Sequence, residues 1–200
     1  MNYLAHLHIA QHCESSMLGN LLGDFVKGNP EHQYSADIVQ GIKLHRFVDS
    51  TIDSHALMLQ AREYFPGKSR RFSGIALDMF WDHCLASEWR KYHATSLRDF
   101  CLDAESKVLA EYPETLPERF TAVSGAMWKG RWLESYKEIE NIEYALQRMS
   151  TRSPRMGELS RCFYTLEQRY QPLKEIFHTL YPEILLSLIH ISEPTRQSSI

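Results

Sequence analysis

Two hundred residues, 44% apolar and 12% aromatic, suit one domain with a substantial core, and a formal net charge of −3 excludes a basic nucleic-acid binder. Four well-separated cysteines (Cys13, Cys84, Cys101 and Cys162) form no CxxC pair, which argues against a zinc knuckle or disulfide framework and fits a reducing cytosol. No basic segment precedes an apolar run at the start, and no stretch of about twenty apolar residues occurs, so a cytoplasmic protein without a membrane span is expected.

From Tyr3 to Cys13, the residues Leu4, Leu7, Ile9 and Ala10 take helical spacing among three histidines. His8 and His12 share a face at i,i+4, whereas His6 lies on another side beside Tyr3 and Ala10. A histidine so placed is either a packed polar group or a site residue. Ser15 or Ser16 caps a short helix that leads through Gly19, Gly23 and Gly28, glycines whose spacing lets backbone or ligand approach closely. Asp24 stands between Gly23 and Phe25. Its apolar flanks predict burial, and a buried carboxylate needs a partner, so Asp24 is expected to be a site residue.

After the turn Lys27-Gly28-Asn29-Pro30, a long helix is predicted over 36–64, with Ile38, Val39, Ile42, Phe47, Val48 and Ile52 inward. His45 and Asp49 project together at i,i+4, and Asp53 continues the ridge. Such a pair is commonly a surface feature, but here it sits in an apolar segment. Phe65-Pro66-Gly67 breaks the helix, and the basic knot Lys68, Arg70 and Arg71 follows. The next helix, predicted to reach about His93, repeats the peculiarity. Asp78 and Asp82 lie one turn apart, with His83 about 100° further round, among Leu77, Phe80 and Trp81. Acids among such neighbours either face water or share a neutralising partner, for which a divalent metal is the simplest choice.

Further helical patterns cover 96–112 (Leu97, Phe100, Val108 and Leu109 inward), 120–132, 133–149 and 158–180, with Pro172 marking a start or kink. No strand-like alternation appears. The fold class expected is all-α, a single compact domain of about seven or eight helices over 1–185. Residues 186–200 are set apart, because Leu186 to Arg196 resembles the translation of a transposon-based sequencing adapter.

The candidate ligands supply only nitrogen and oxygen, a mix that suits Mn²⁺, Mg²⁺ or Fe²⁺ in an octahedral site. There is no Walker loop, GxSxG elbow or GxGxxG fingerprint. Four segments in order, Asn2 to Leu7, Gly19 to Gly28, Gly41 to Asp49 and Asp78 to His83, resemble the bacterial acyl carrier protein phosphodiesterases, and the resemblance runs from Met1 to about Leu185. It implies an HD-phosphohydrolase-like helical enzyme that removes 4′-phosphopantetheine from holo-acyl carrier protein, using a divalent metal with Mn²⁺ favoured. Neither nucleic acid nor membrane is then a partner.

On this reading Asp24, His45, Asp82 and His83 hold the metal. Asp49 and Asp78 complete or orient the shell, and His6 stands at the edge as ligand or general acid. Arg46, Lys68, Arg70 and Arg71 contact phosphate or the acidic carrier. The dyad Asp82-His83 reverses the His-Asp order for which HD enzymes are named, so the assignments rest on this family's own motifs. Gly23 stands where some relatives are expected to carry alanine, a small-for-small exchange that leaves the role of Asp24 undisturbed. Two other readings fit the same residues: a helical phosphohydrolase of nucleotides or alarmones, and a non-catalytic helical interaction module with these groups on its surface.

Overall fold

Two helices with almost no polar face form the centre. Every residue from Leu4 to Ala10 is buried in α1 (Tyr3–His12), as is the run from Met79 to Ala86 in α5 (Ser73–Ser87). A helix apolar all round must be covered on all sides, and the remaining elements supply that cover. Each fully buried Leu or Ile here, such as Leu7, Ile9 and Leu77, contributes about 1.5–3 kcal/mol. The computed structural model describes the backbone of residues 1–192 and the side chains of residues 1–188; the remainder of the segment set apart after Leu185 lies outside the described residues.

α2 (Met17–Leu22) is capped by Ser16, whose Oγ accepts from the Gly19 amide at 2.8 Å. It packs between α1 and α3 (Ala36–Ser54). The α2–α3 crossing is tight because Gly19 meets Gly41: a Cβ built on Gly41 would lie 2.9 Å from the Gly19 Cα and 2.8 Å from the Ser16 carbonyl. α4 (Ala56–Glu63) follows, then a 3-10 helix over Gly67–Phe72 that feeds α5. Beyond a 3-10 turn at Trp89–Lys91 come α6 (Leu97–Ala110), α7 (Glu118–Lys129), the single-turn α8 (Trp132–Ser135) and α9 (Ile139–Ser150). A 3-10 segment over Pro154–Leu159, α10 (Cys162–Gln168) and α11 (Tyr170–Ser192) complete the described chain. α4, α9, α10 and α11 pack on α5, and α6 covers α2.

All described elements are helical, eleven α-helices against the seven or eight expected. The surplus comes from breaks that neither glycine nor proline announces. The helix predicted over 36–64 divides at His55, whose extended backbone (φ −68°, ψ 136°) ends α3 while its Nδ1 accepts from the Leu57 amide at 3.2 Å and caps α4. The patterns over 133–149 and 158–180 divide similarly, the latter at Arg169. Pro172 falls in the first turn of α11, where its missing N–H costs nothing. Phe47 and Leu109, expected inward, are exposed. α11 runs through Leu185 without a break, and Leu188 is buried. No helix among the described residues is long and apolar enough to cross a membrane.

Candidate metal centre

The crossing of α1 and α3 brings two imidazoles and a carboxylate together. His6 and His45 stack with ring centroids 3.9 Å apart. Asp49, one turn beyond His45, receives both: its Oδ1 lies 3.1 Å from His6 Nε2 and its Oδ2 3.1 Å from His45 Nε2. One ligand atom from each of the three lies within 4.8 Å of the others, so this group could hold a metal ion. Asp24, in the turn after α2, borders it with Oδ1 3.5 Å from His45 Nε2. Asp24 is 52% exposed, contrary to the expected burial, because α2 ends at Gly23 and its carboxylate faces the open side of the group.

Electrostatics divide these residues sharply. Burial, reinforced by the His45 charge, lowers the His6 pKa to about 4 and leaves it neutral. Burial opposes the charge of His45 too, yet hydrogen bonds to Asp24 and Asp49 raise its pKa to about 9. Both aspartates are held below the ordinary carboxylate value; partial burial works the other way, but the hydrogen bond from His45 prevails. A charged imidazole thus stacks on a neutral one, with both Nε2 atoms aimed at a single carboxylate. These donors converge on a position that a cation could take in place of the His45 proton. Two nitrogens and two carboxylates are a donor set that divalent Mn, Fe or Mg accepts.

Gly23 owes its identity to space alone, since its backbone (φ −50°, ψ −37°) suits any residue. A Cβ there would overlap the His45 ring unless one of the two shifts. Arg46 is occupied in bracing the same turn, donating to the carbonyls of Gly28 at 2.8 Å and Val26 at 2.6 Å. Gly28 itself takes φ 73°, which only glycine adopts freely.

The residues of α5 behave differently from expectation. Asp82 is fully buried, and its two oxygens accept the amides of Leu4 at 2.8 Å and Ala5 at 3.1 Å. Each oxygen thus accepts one amide at the N-terminus of α1, a position that suits a carboxylate. Burial still raises its pKa to about 7 against the pull of those amides. His83 points away from the His6 group. Its Nδ1 donates to the Tyr136 carbonyl at 2.8 Å, and its Nε2 accepts from the Tyr170 hydroxyl at 2.8 Å. Of the four ligands expected, then, the fold brings His45 and Asp24 to the group and engages Asp82 and His83 elsewhere. Asp78 reaches the group only indirectly, through the α-ammonium of Met1, which lies 2.9 Å from Asp78 and 3.5 Å from Asp49. Lys68, Arg70 and Arg71 are exposed on their 3-10 helix and make no hydrogen bond or ion pair to these residues.

A cleft of about 430 Å³ opens beside the start of α1, lined by Asn2, Tyr3 and Met79 on one side and by α7, α8 and α9 on the other. Arg119, Arg148 and Arg152 stand along it. The sequence reading missed all three. Its one available signal was the i,i+4 spacing of Arg148 and Arg152, which is common on solvated helices.

Comparison with known proteins gives a consistent answer. The family described as acyl carrier protein phosphodiesterase matches residues 1–184. An acyl carrier protein phosphodiesterase of Yersinia pestis is 45% identical over 191 residues, covering 95% of this chain and 98% of that one. The Pectobacterium atrosepticum protein of the same name is 44% identical over 92% of this chain and 96% of its own. One from Escherichia coli is 37% identical over 95% and 98%. No solved structure matches the chain.

Proposed function

The chain belongs to the acyl carrier protein phosphodiesterase family, and on that premise we propose that it hydrolyses holo-acyl carrier protein, releasing 4′-phosphopantetheine and the apo form. The observation that carries the reading is the convergence of His6, His45 and Asp49 within 4.8 Å. We assign the metal to these three with Asp24 at the open edge, and Mn²⁺ as the favoured ion. A divalent cation there supplies neutralising charge for the phosphodiester and acidifies water for in-line attack.

The chain's own groups do the rest. Asp24, ionised and half exposed, is placed to take a proton from the attacking water. The water oxygen forms the new bond to phosphorus and the bond from phosphorus to the carrier serine breaks; the serine oxygen takes a proton from solvent at the open edge, and Asp24 returns the proton it took to solvent. Asp82 acts as a positioning residue: by binding the first amides of α1 it fixes the turn that carries His6. Four free cysteines and a carrier-protein substrate support a cytoplasmic setting.

The test is the mass of purified holo-acyl carrier protein incubated with the protein and Mn²⁺. Loss of the phosphopantetheine mass, abolished by Asp49→Asn, is the expected result. An unchanged carrier mass beside turnover of a nucleotide would favour the nucleotide phosphohydrolase reading instead.

A further inference from the structure

Three guanidiniums gather at the cleft beside α1. Arg62, Arg131 and Arg161 are neutralised by Asp53, Glu134 and Glu158. Arg119, Arg148 and Arg152 have no carboxylate within ion-pair distance among the described residues. Two of them rest on aromatic rings, Arg119 over Phe25 at 5.6 Å and Arg148 over Tyr144 at 5.7 Å. Unpaired cations held on rigid ring faces invite an anion.

None of His6, His45, Asp49 and Asp24 lines the cleft, and Tyr3 is what relates the metal group to it. Tyr3 lines it, stacks on Phe25 with centroids 6.4 Å apart, and so adjoins Asp24, the residue before Phe25. The charge around the Tyr3 hydroxyl records the same adjacency. Burial and then Asp24 raise its pKa to about 12, while Arg119 and Arg152 pull it down. Tyr3 shares the cleft wall with both arginines. Beyond it the walls combine apolar Val123 and Ala145 with the amide of Asn141. That combination fits a slender chain of methylenes and amides with its anionic end toward Tyr3.

Resting on the function proposed above, we propose that this cleft seats the pantetheine arm, with Arg119 and Arg152 meeting the phosphodiester where the arm leaves the metal group. The arm's two amides and its gem-dimethyl carbon lie along α7 and α9, and Arg148 guards the far side. The carrier protein itself then remains outside, presenting its serine at the open edge near Asp24.

The probe is pantetheine, which lacks the phosphate, titrated at millimolar concentrations into metal-free protein and followed by the fluorescence of Trp132 in the wall, with Trp132→Phe as the signal control. Saturable binding is expected. Ala145→Trp and Val123→Trp fill the cleft from opposite walls, and each should weaken binding at least tenfold while melting temperature and bound Mn²⁺ are kept; the two walls guard against one variant failing to fold. Arg152→Ala should weaken binding of 4′-phosphopantetheine more than that of pantetheine. If the wild-type protein strips holo-carrier but binds no pantetheine, or if both folded filled variants bind it equally well, the cleft assignment is overturned and the activity stands. If pantetheine binds as expected and holo-carrier is untouched, the cleft is upheld and the proposed activity falls.

Discussion

At the scale of single residues, the position that most constrains the site carries no functional group. Gly23 lies against the His45 ring, and a side chain there fits only if one of the two shifts. We expect Gly23→Leu, whose side chain reaches well past the room an alanine methyl needs, to lose at least tenfold in Mn²⁺ affinity, measured by calorimetric titration. Unchanged affinity would mean that His45 is not a ligand. Residue identity was a partial guide here. The i,i+4 spacing of His45 and Asp49 was legible because both sit on one helix. That His6 joins them is implied by the resemblance and not by spacing, because the meeting depends on how α1 crosses α3. For Asp82 and His83 burial was readable, but burial fits the cap of α1 and the bonds to Tyr136 and Tyr170 as well as it fits a metal.

At the scale of elements, α1 shows what its three histidines do. His6 serves the cluster and His12 faces solvent, whereas His8 is a packing residue among Trp89 of the 3-10 turn, Phe100 of α6 and Tyr181 of α11. His8 is 5% exposed, and its Nδ1 accepts from the Tyr181 hydroxyl at 2.7 Å. Burial lowers its pKa to about 4. The unfolded chain therefore takes up a proton near pH 6.5 that the folded chain refuses, and stability is lost as pH falls from 6.5 toward 4. A shift of that size corresponds to roughly 3 kcal/mol. The melting temperature should fall between pH 7 and pH 5, and His8→Gln should flatten that fall; an identical slope in the variant would remove His8 as its cause. The amphipathic rhythm of α3 was plain in the sequence, with Ile38, Ile42, Val48 and Ile52 all buried. The break after it was not, because His55 caps α4 with a ring nitrogen rather than with the serine, threonine or asparagine that announces a cap.

At the scale of the whole molecule, the site exists only because segments far apart in sequence are held by the central pair. Asp82 of α5 fixes α1, α1 presents His6 to α3, and the Gly19–Gly41 contact sets the turn that carries Asp24. All-α architecture followed from periodicity, whereas this assembly depends on crossings that periodicity does not encode. The assembly also couples metal to protons. Without a metal, His45 keeps its proton up to about pH 9 because Asp24 and Asp49 hold it. A cation bound on His45 must displace that proton, so apparent affinity should rise about tenfold per pH unit below 9. Between pH 6.5 and pH 8 the Mn²⁺ dissociation constant is thus expected to fall by more than a factor of ten, with close to one proton released per ion. Calorimetry in buffers of different ionisation enthalpy measures that release directly. The same linkage makes the metal a stabiliser of the folded chain: at a hundredfold excess over the dissociation constant it adds about 2.7 kcal/mol. Chelation should therefore lower the melting temperature by several degrees in the wild-type protein and leave that of His45→Gln nearly unmoved, whereas an equal drop in both would take His45 out of the metal site.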